Sequence, residues 1–144
     1  MRTRRYAPWL WLLTGLFAFR VVAQPAALVL GGGAILPGFE AWHGGVLPYP
    51  LLLVTQVIIL GWLGATARRF STLGVVPNRR LGLLLLTVGG VYFAAMAIRL
   101  LLGATVLREA RWFGALLPAI FHLVLASYLL LYGHFHALGP KRAA

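Results

Sequence analysis

The chain has 144 residues, of which 61% are hydrophobic and 10% charged; its 13 lysines and arginines face 2 acidic residues, for a net charge of +11. So little polar material cannot build a soluble domain beside a membrane-embedded one. Because the basic residues fall in short clusters and not on a polar module, nucleic acid is not an expected partner. With no cysteine, disulfides, thiolate metal sites and thiol catalysis are excluded.

Four apolar stretches, roughly 8–30, 50–67, 81–103 and 113–137, each have about the length a helix needs to cross a hydrocarbon core. The expected fold is an all-α membrane protein, a four-transmembrane-helix antiparallel bundle that forms a single domain over residues 1–144. Alternate ends of the stretches differ in charge. One side carries Arg2, Arg4, Arg5, Arg68, Arg69, Arg79, Arg80, Lys141 and Arg142, the other only Arg108 and Arg111. This bias places both termini in the cytoplasm, and the same clusters suit anionic headgroups, which makes membrane lipids expected partners. A clean bias on so economical a chain suggests the plasma (inner) membrane of a bacterium.

Arg2, Arg4 and Arg5 ahead of an apolar run also resemble a signal peptide, with Val21 and Ala23 in the place of a cleavage motif. The run exceeds the roughly 7–15 residues of a signal core and contains Arg20, so it is read as a retained span. Tyr6, Trp9 and Trp11 mark its inner interface, and Pro8 suits a first helical position. Pro25 is expected to kink or end the outer third of the helix, since its ring clashes with the carbonyl of Val21. Gly31, Gly32 and Gly33 then close the span.

The outer loop, 31–49, is punctuated by proline and glycine yet carries Ile35, Leu36, Phe39, Trp42, Val46, Leu47 and Tyr49. Such a segment is expected to pack at the membrane surface or fold back over the bundle. The connections at 68–80 and 104–113 are short, and Trp112 marks the start of the last span. Helices in lipid associate through small residues, here Gly61 and Gly64 in the second span and Gly89, Gly90, Ala94, Ala95 and Ala97 in the third. These are assigned to packing within the chain, while a homo-oligomer or a larger membrane complex remains an open alternative.

Polar residues inside spans are costly, so their positions point to function. At about 1.5 Å per residue from the outer ends, Arg99 lies about 6 Å deep, Gln24 and Gln56 about 9 Å, and Arg20 and His122 roughly 15 Å. All four helices thus contribute to one layer. Arg20 and Gln24 share a helical face, as do Arg99, Ala95 and Tyr92. No span contains Asp or Glu, so the candidate counter-charge is Glu40 in the outer loop, with His43 beside it. If Glu40 pairs with one arginine, the other is available to a lipid phosphate or a ligand carboxylate. The plainer alternative is that Arg99 snorkels, Arg20 pairs with Glu40 to pin the loop and the glutamines bridge helices. Taken alone, His122 is more often a packing donor than a ligand.

His134 and His136, two apart on a helix, point to opposite sides and are assigned to the inner interface, not to a metal. His122 and His136 share a face, but no opposing helix supplies matching histidines for a two-haem arrangement. A single haem would have to be held by His43 and His122, which alone could ligate across segments on the outer side. The spans lack lysine for a retinal Schiff base and carboxylates for proton-coupled exchange, so the small four-helix drug exporters are a poor match.

The leading functional expectation is a non-enzymatic accessory subunit or binder of an amphipathic ligand, a lipid headgroup or a quinone. Its ligand-binding residues would be Arg20, Gln24, Glu40, His43, Gln56, Tyr92, Arg99 and His122. The alternatives are a membrane redox or lipid-modifying enzyme using His122 with Arg20 and Arg99, and an oligomeric anion-preferring channel or transporter.

Overall fold

A computed structural model describes residues 3–31, 37–43, 47–72 and 74–138, with the backbone alone for 111 and 112. The elements are α1 (Thr3–Leu30), α2 (Phe39–Trp42), α3 (Tyr49–Thr72), α4 (Arg79–Thr105), α5 (Arg111–Gly114) and α6 (Leu116–Leu138). Four of them, α1, α3, α4 and α6, are long and apolar enough to cross a membrane. The protein is an all-helical, multi-pass membrane bundle.

The distribution of polarity is the reverse of a water-soluble fold. Val22, Val29, Ile58, Val91 and Leu101 are all more than half exposed, while Arg20, Gln24, Gln56 and Arg99 are buried. An apolar surface of that extent is untenable in water and is what hydrocarbon requires.

Helix boundaries differ from the sequence reading in instructive places. α1 begins at Thr3, so Pro8 lies inside the helix, not at its first position, and the helix continues through Pro25 to Leu30. Neighbouring helices and local adjustments tolerate proline in a membrane span, where no water competes for the remaining backbone bonds. The last span starts at Leu116 and not at Phe113, because residues 111–114 form the separate turn α5. That brings His122 to about 9 Å from the start of its helix, shallower than expected from the sequence.

α1 is central, packing on both α3 and α6, and α4 packs chiefly along α6; α3 and α4, though consecutive spans, are not packed along each other. The α4–α6 seam is built from glycines in one antiparallel register. A Cβ at Gly82 would lie 2.2 Å from the nitrogen of Ala137, one at Gly133 2.9 Å from the Cβ of Leu85, and one at Gly89 3.2 Å from that of Leu129. The small residues thus divide differently from expectation. Gly89 is used within the chain, whereas Gly61, Gly64 and Gly90 would meet nothing within 4 Å, and Gly82, Gly103 and Gly133 make the close approaches. Helices in lipid gain mainly from such contact, which requires that no side chain stand between the backbones.

The inner half of the core gathers Leu10, Phe17, Leu63, Ala67, Phe70, Tyr128 and Phe135. Tyr128 is fully buried and donates its hydroxyl to the carbonyl of Leu63 at 2.8 Å, tying α6 to α3. At the inner end, Asn78 caps α4 by accepting from the backbone N–H groups of Arg80 and Leu81 at 3.1 and 3.2 Å. Its side-chain oxygen so satisfies two of the helix's orphan donors. A second, smaller core of Ala23, Ala27, Trp42 and Phe121 closes the outer half.

Candidate functional site

The outer half of the bundle holds two guanidinium groups. Arg20 of α1 and Arg99 of α4 are 5% and 4% exposed, and each lies within electrostatic reach of the other and of His122. α1 and α4 both pack on α6 and not along each other. The Arg20 guanidinium carbon sits 5.2 Å from the centre of the Phe121 ring, a cation–π contact strengthened by the absence of water.

Arg20 reaches α2 by donating from Nη2 to the carbonyl of Trp42 at 3.4 Å, long for a bond of this type. Its Nη1 is buried with no hydrogen-bond partner among the described residues. Glu40, the counter-charge expected from the sequence, is exposed on α2, and Arg20 is held by a carbonyl dipole in its place. The reason is geometric. Within a single turn of helix, burial of Trp42 turns Glu40 outward, two residues away.

Trp42 anchors this arrangement. It is 2% exposed, donates its indole N–H to the carbonyl of Pro37 at 3.0 Å, and contacts the rings of Phe19 and Phe121 at 6.1 and 6.0 Å. The expectation of an outer loop packed on the bundle therefore holds for residues 37–43. Ile35, Leu36 and Val46, which also carried it, lie outside the described residues.

Beside the arginines, Gln56 of α3 donates Nε2 to Oε1 of Gln24 at 3.3 Å. One bond between two amides leaves Gln24 Nε2 and Gln56 Oε1 buried without partners among the described residues. Each such group costs about 1–3 kcal/mol when unsatisfied. On the other flank, Tyr92 of α4 and Nδ1 of His122 are directly hydrogen-bonded. His43 is placed differently: its ring stacks on Phe39 at 5.4 Å and meets Tyr49 edge-on at 6.5 Å.

The structure thus gathers Arg20, Tyr92, Arg99 and His122 around one spot, sets the Gln24–Gln56 pair nearby, and leaves Glu40 and His43 on the α2 side. With Nδ1 committed to Tyr92, His122 has one ring nitrogen left for any ligand. Among the described residues, no group of three or more His, Cys, Asp or Glu is spaced to hold a metal ion. Sequence reasoning missed two participants, the Trp42 carbonyl and the Phe121 ring. A backbone acceptor leaves no mark on an inventory of side chains, but a tryptophan within a loop rich in glycine and proline was a usable signal. No family model matches the chain, and neither a curated protein nor a solved structure matches it.

Proposed function

We propose that the protein is a non-enzymatic membrane protein that holds the anionic headgroup of an amphipathic molecule in its outer half. One observation carries this reading. Arg20 is buried with its Nη1 unpartnered among the described residues and within electrostatic reach of a second buried guanidinium, in a chain whose acidic residues, Glu40 and Glu109, lie outside the long helices. Like charges in a medium of low dielectric repel strongly, and a phosphate or carboxylate beside Arg20 offsets that repulsion with a charge-assisted hydrogen bond. The partnerless Arg20 Nη1 is a donor ready for such an oxygen, and the Tyr92–His122 pair supplies neutral polar groups at its margin. Quinone binding would use the same neutral groups but leave the Arg20 charge without an anion, so the lipid-type headgroup is the better fit.

Arg20→Leu is expected to fold and to lose its retained amphipath by about tenfold, the value of one charge-assisted contact. Mass spectrometry of lipids extracted from matched mild-detergent preparations reads this directly; equal retention by the two proteins would sink the proposal. Glu40→Gln, at an exposed position, serves as the unaffected control.

The accompanying topology has residues 68–80 and both termini in the cytoplasm of a bacterium, as the charge bias supports. A reporter fused after Ala144 should read as cytoplasmic, and an external signal would reverse the orientation. Gly61, Gly64 and Gly90 support an accessory role, because their open faces suit the close approach of another membrane helix.

A further inference from the structure

At the opposite, arginine-rich end of the bundle, a half-open groove of about 510 Å³ runs between the first turns of α4 and the last turn of α6. Arg79 and His136 form its polar wall, and Leu83, Leu86 and Leu138 its apolar one. The close α4–α6 approach at Gly82 and Gly133 fixes the two helices that make these walls.

His136 has a defined protonation pattern. The backbone N–H of Asn78 can only donate, and it does so to Nδ1 of His136 at 3.0 Å. Nδ1 is therefore the bare nitrogen, and the neutral ring carries its proton on Nε2. That Nε2–H is buried without a hydrogen-bond partner among the described residues, on a side chain only 4% exposed. The side chain that carries this unpartnered donor lines the same groove as Arg79. Arg80 adds a second exposed positive charge one residue on, and both acidic residues of the chain lie toward the opposite end of the helices.

We propose that this groove binds the headgroup of an anionic phospholipid. The phosphate sits between the Arg79 guanidinium and His136 Nε2–H, and an acyl chain lies along Leu83, Leu86 and Leu138. Charge complementarity selects the anionic class, because a choline or ethanolamine cation would be brought up against Arg79 and Arg80. Basic clefts between helices on the positively charged side of a membrane protein are well suited to such lipids. The site is independent of the outer layer and does not rest on its function.

The test is native mass spectrometry of the full chain in detergent micelles, titrated with dioleoylphosphatidylglycerol or dioleoylphosphatidylcholine. Phosphatidylglycerol should bind at least about tenfold more tightly than phosphatidylcholine, and Arg79→Gln should weaken it by about tenfold. Arg80→Gln, which keeps the groove and removes a neighbouring charge of the same kind, should change it by no more than about twofold. Leu83→Trp should block the apolar wall, and His136→Asn should weaken binding while keeping an acceptor for the Asn78 N–H. Arg20→Leu should leave this binding unchanged, which separates the groove from the outer layer. Equal losses in Arg79→Gln and Arg80→Gln would mean diffuse attraction to a basic surface and overturn the proposal. So would equal affinity for the two lipids, or loss of binding in Arg20→Leu alone. Should His136→Asn fail to fold, the Arg79, Arg80 and Leu83 variants decide the question unaided.

Discussion

Gly82→Ala is expected to be among the most damaging single-methyl substitutions available in this protein. The added carbon would stand 2.2 Å from the backbone nitrogen of Ala137 and 2.6 Å from the carbonyl carbon of His136. Neither is the end of a flexible side chain, so relief requires that α4 and α6 move apart. Separation would loosen the Gly133 contact in the same seam and the Asn78–His136 bond beyond it. The cost is expected at about 3 kcal/mol or more, at the upper end of overpacking penalties, because dispersion contact is the main force holding helices together in lipid. Thermal unfolding in mild detergent measures it. Gly90→Ala, one helix position that meets nothing within 4 Å, should be neutral or slightly stabilising through improved helix propensity. Comparable melting of Gly82→Ala and the unmodified protein would show that the seam is not tightly packed.

The contrast between Gly82 and Gly90 also marks where sequence reasoning reached its limit. Span number and approximate placement were legible because hydrocarbon demands about twenty apolar residues per crossing, and the chain offers four such runs. Which glycines lie in the seam depends on the rotation of each helix about its axis. An almost uniformly apolar α4 carries no moment to reveal that rotation. Gly82 stood at the edge of its apolar run, beside Arg79 and Arg80, and resembled a boundary residue instead of a contact.

The polar layer was legible for a related reason. Arg20, Gln24, Gln56, Arg99 and His122 are conspicuous against hydrocarbon, and their depths alone implied one level. Their partners were harder to foresee. Glu40 was the sole acidic residue near the outer end of α1, so charge pairing pointed to it, yet a four-residue helix cannot bury Trp42 and present Glu40 to the same side. Burial of the larger aromatic prevails, and its carbonyl serves the arginine in place of the carboxylate. The result is an Arg20 charge moderated by a dipole and a π face, neither of which neutralises it. That residual charge links the packing of α2 to the proposed binding of an anion.

Trp42→Ala should therefore release α2 and disturb Arg20 together. Trp42 is among the largest fully buried side chains, held by Phe19, Phe121 and the Pro37 carbonyl, and its removal leaves a cavity that the short α2 cannot refill. Truncation of a buried tryptophan costs about 3–5 kcal/mol, but here the four spans do not depend on α2 for their own pairing, so the loss should appear first as local release. Amide hydrogen exchange across residues 37–43 should rise strongly while the spanning helices stay protected. Arg20 would then lose its carbonyl acceptor, and the buried guanidinium would have to recruit water or a tighter anion. Trp42→Phe separates the contributions: it keeps an aromatic ring against Phe121 and forfeits only the indole bond to Pro37, with an expected cost of about 1 kcal/mol. If Trp42→Ala leaves exchange in 37–43 unchanged, α2 is held by something other than this side chain, and the account of how Arg20 is accommodated fails with it.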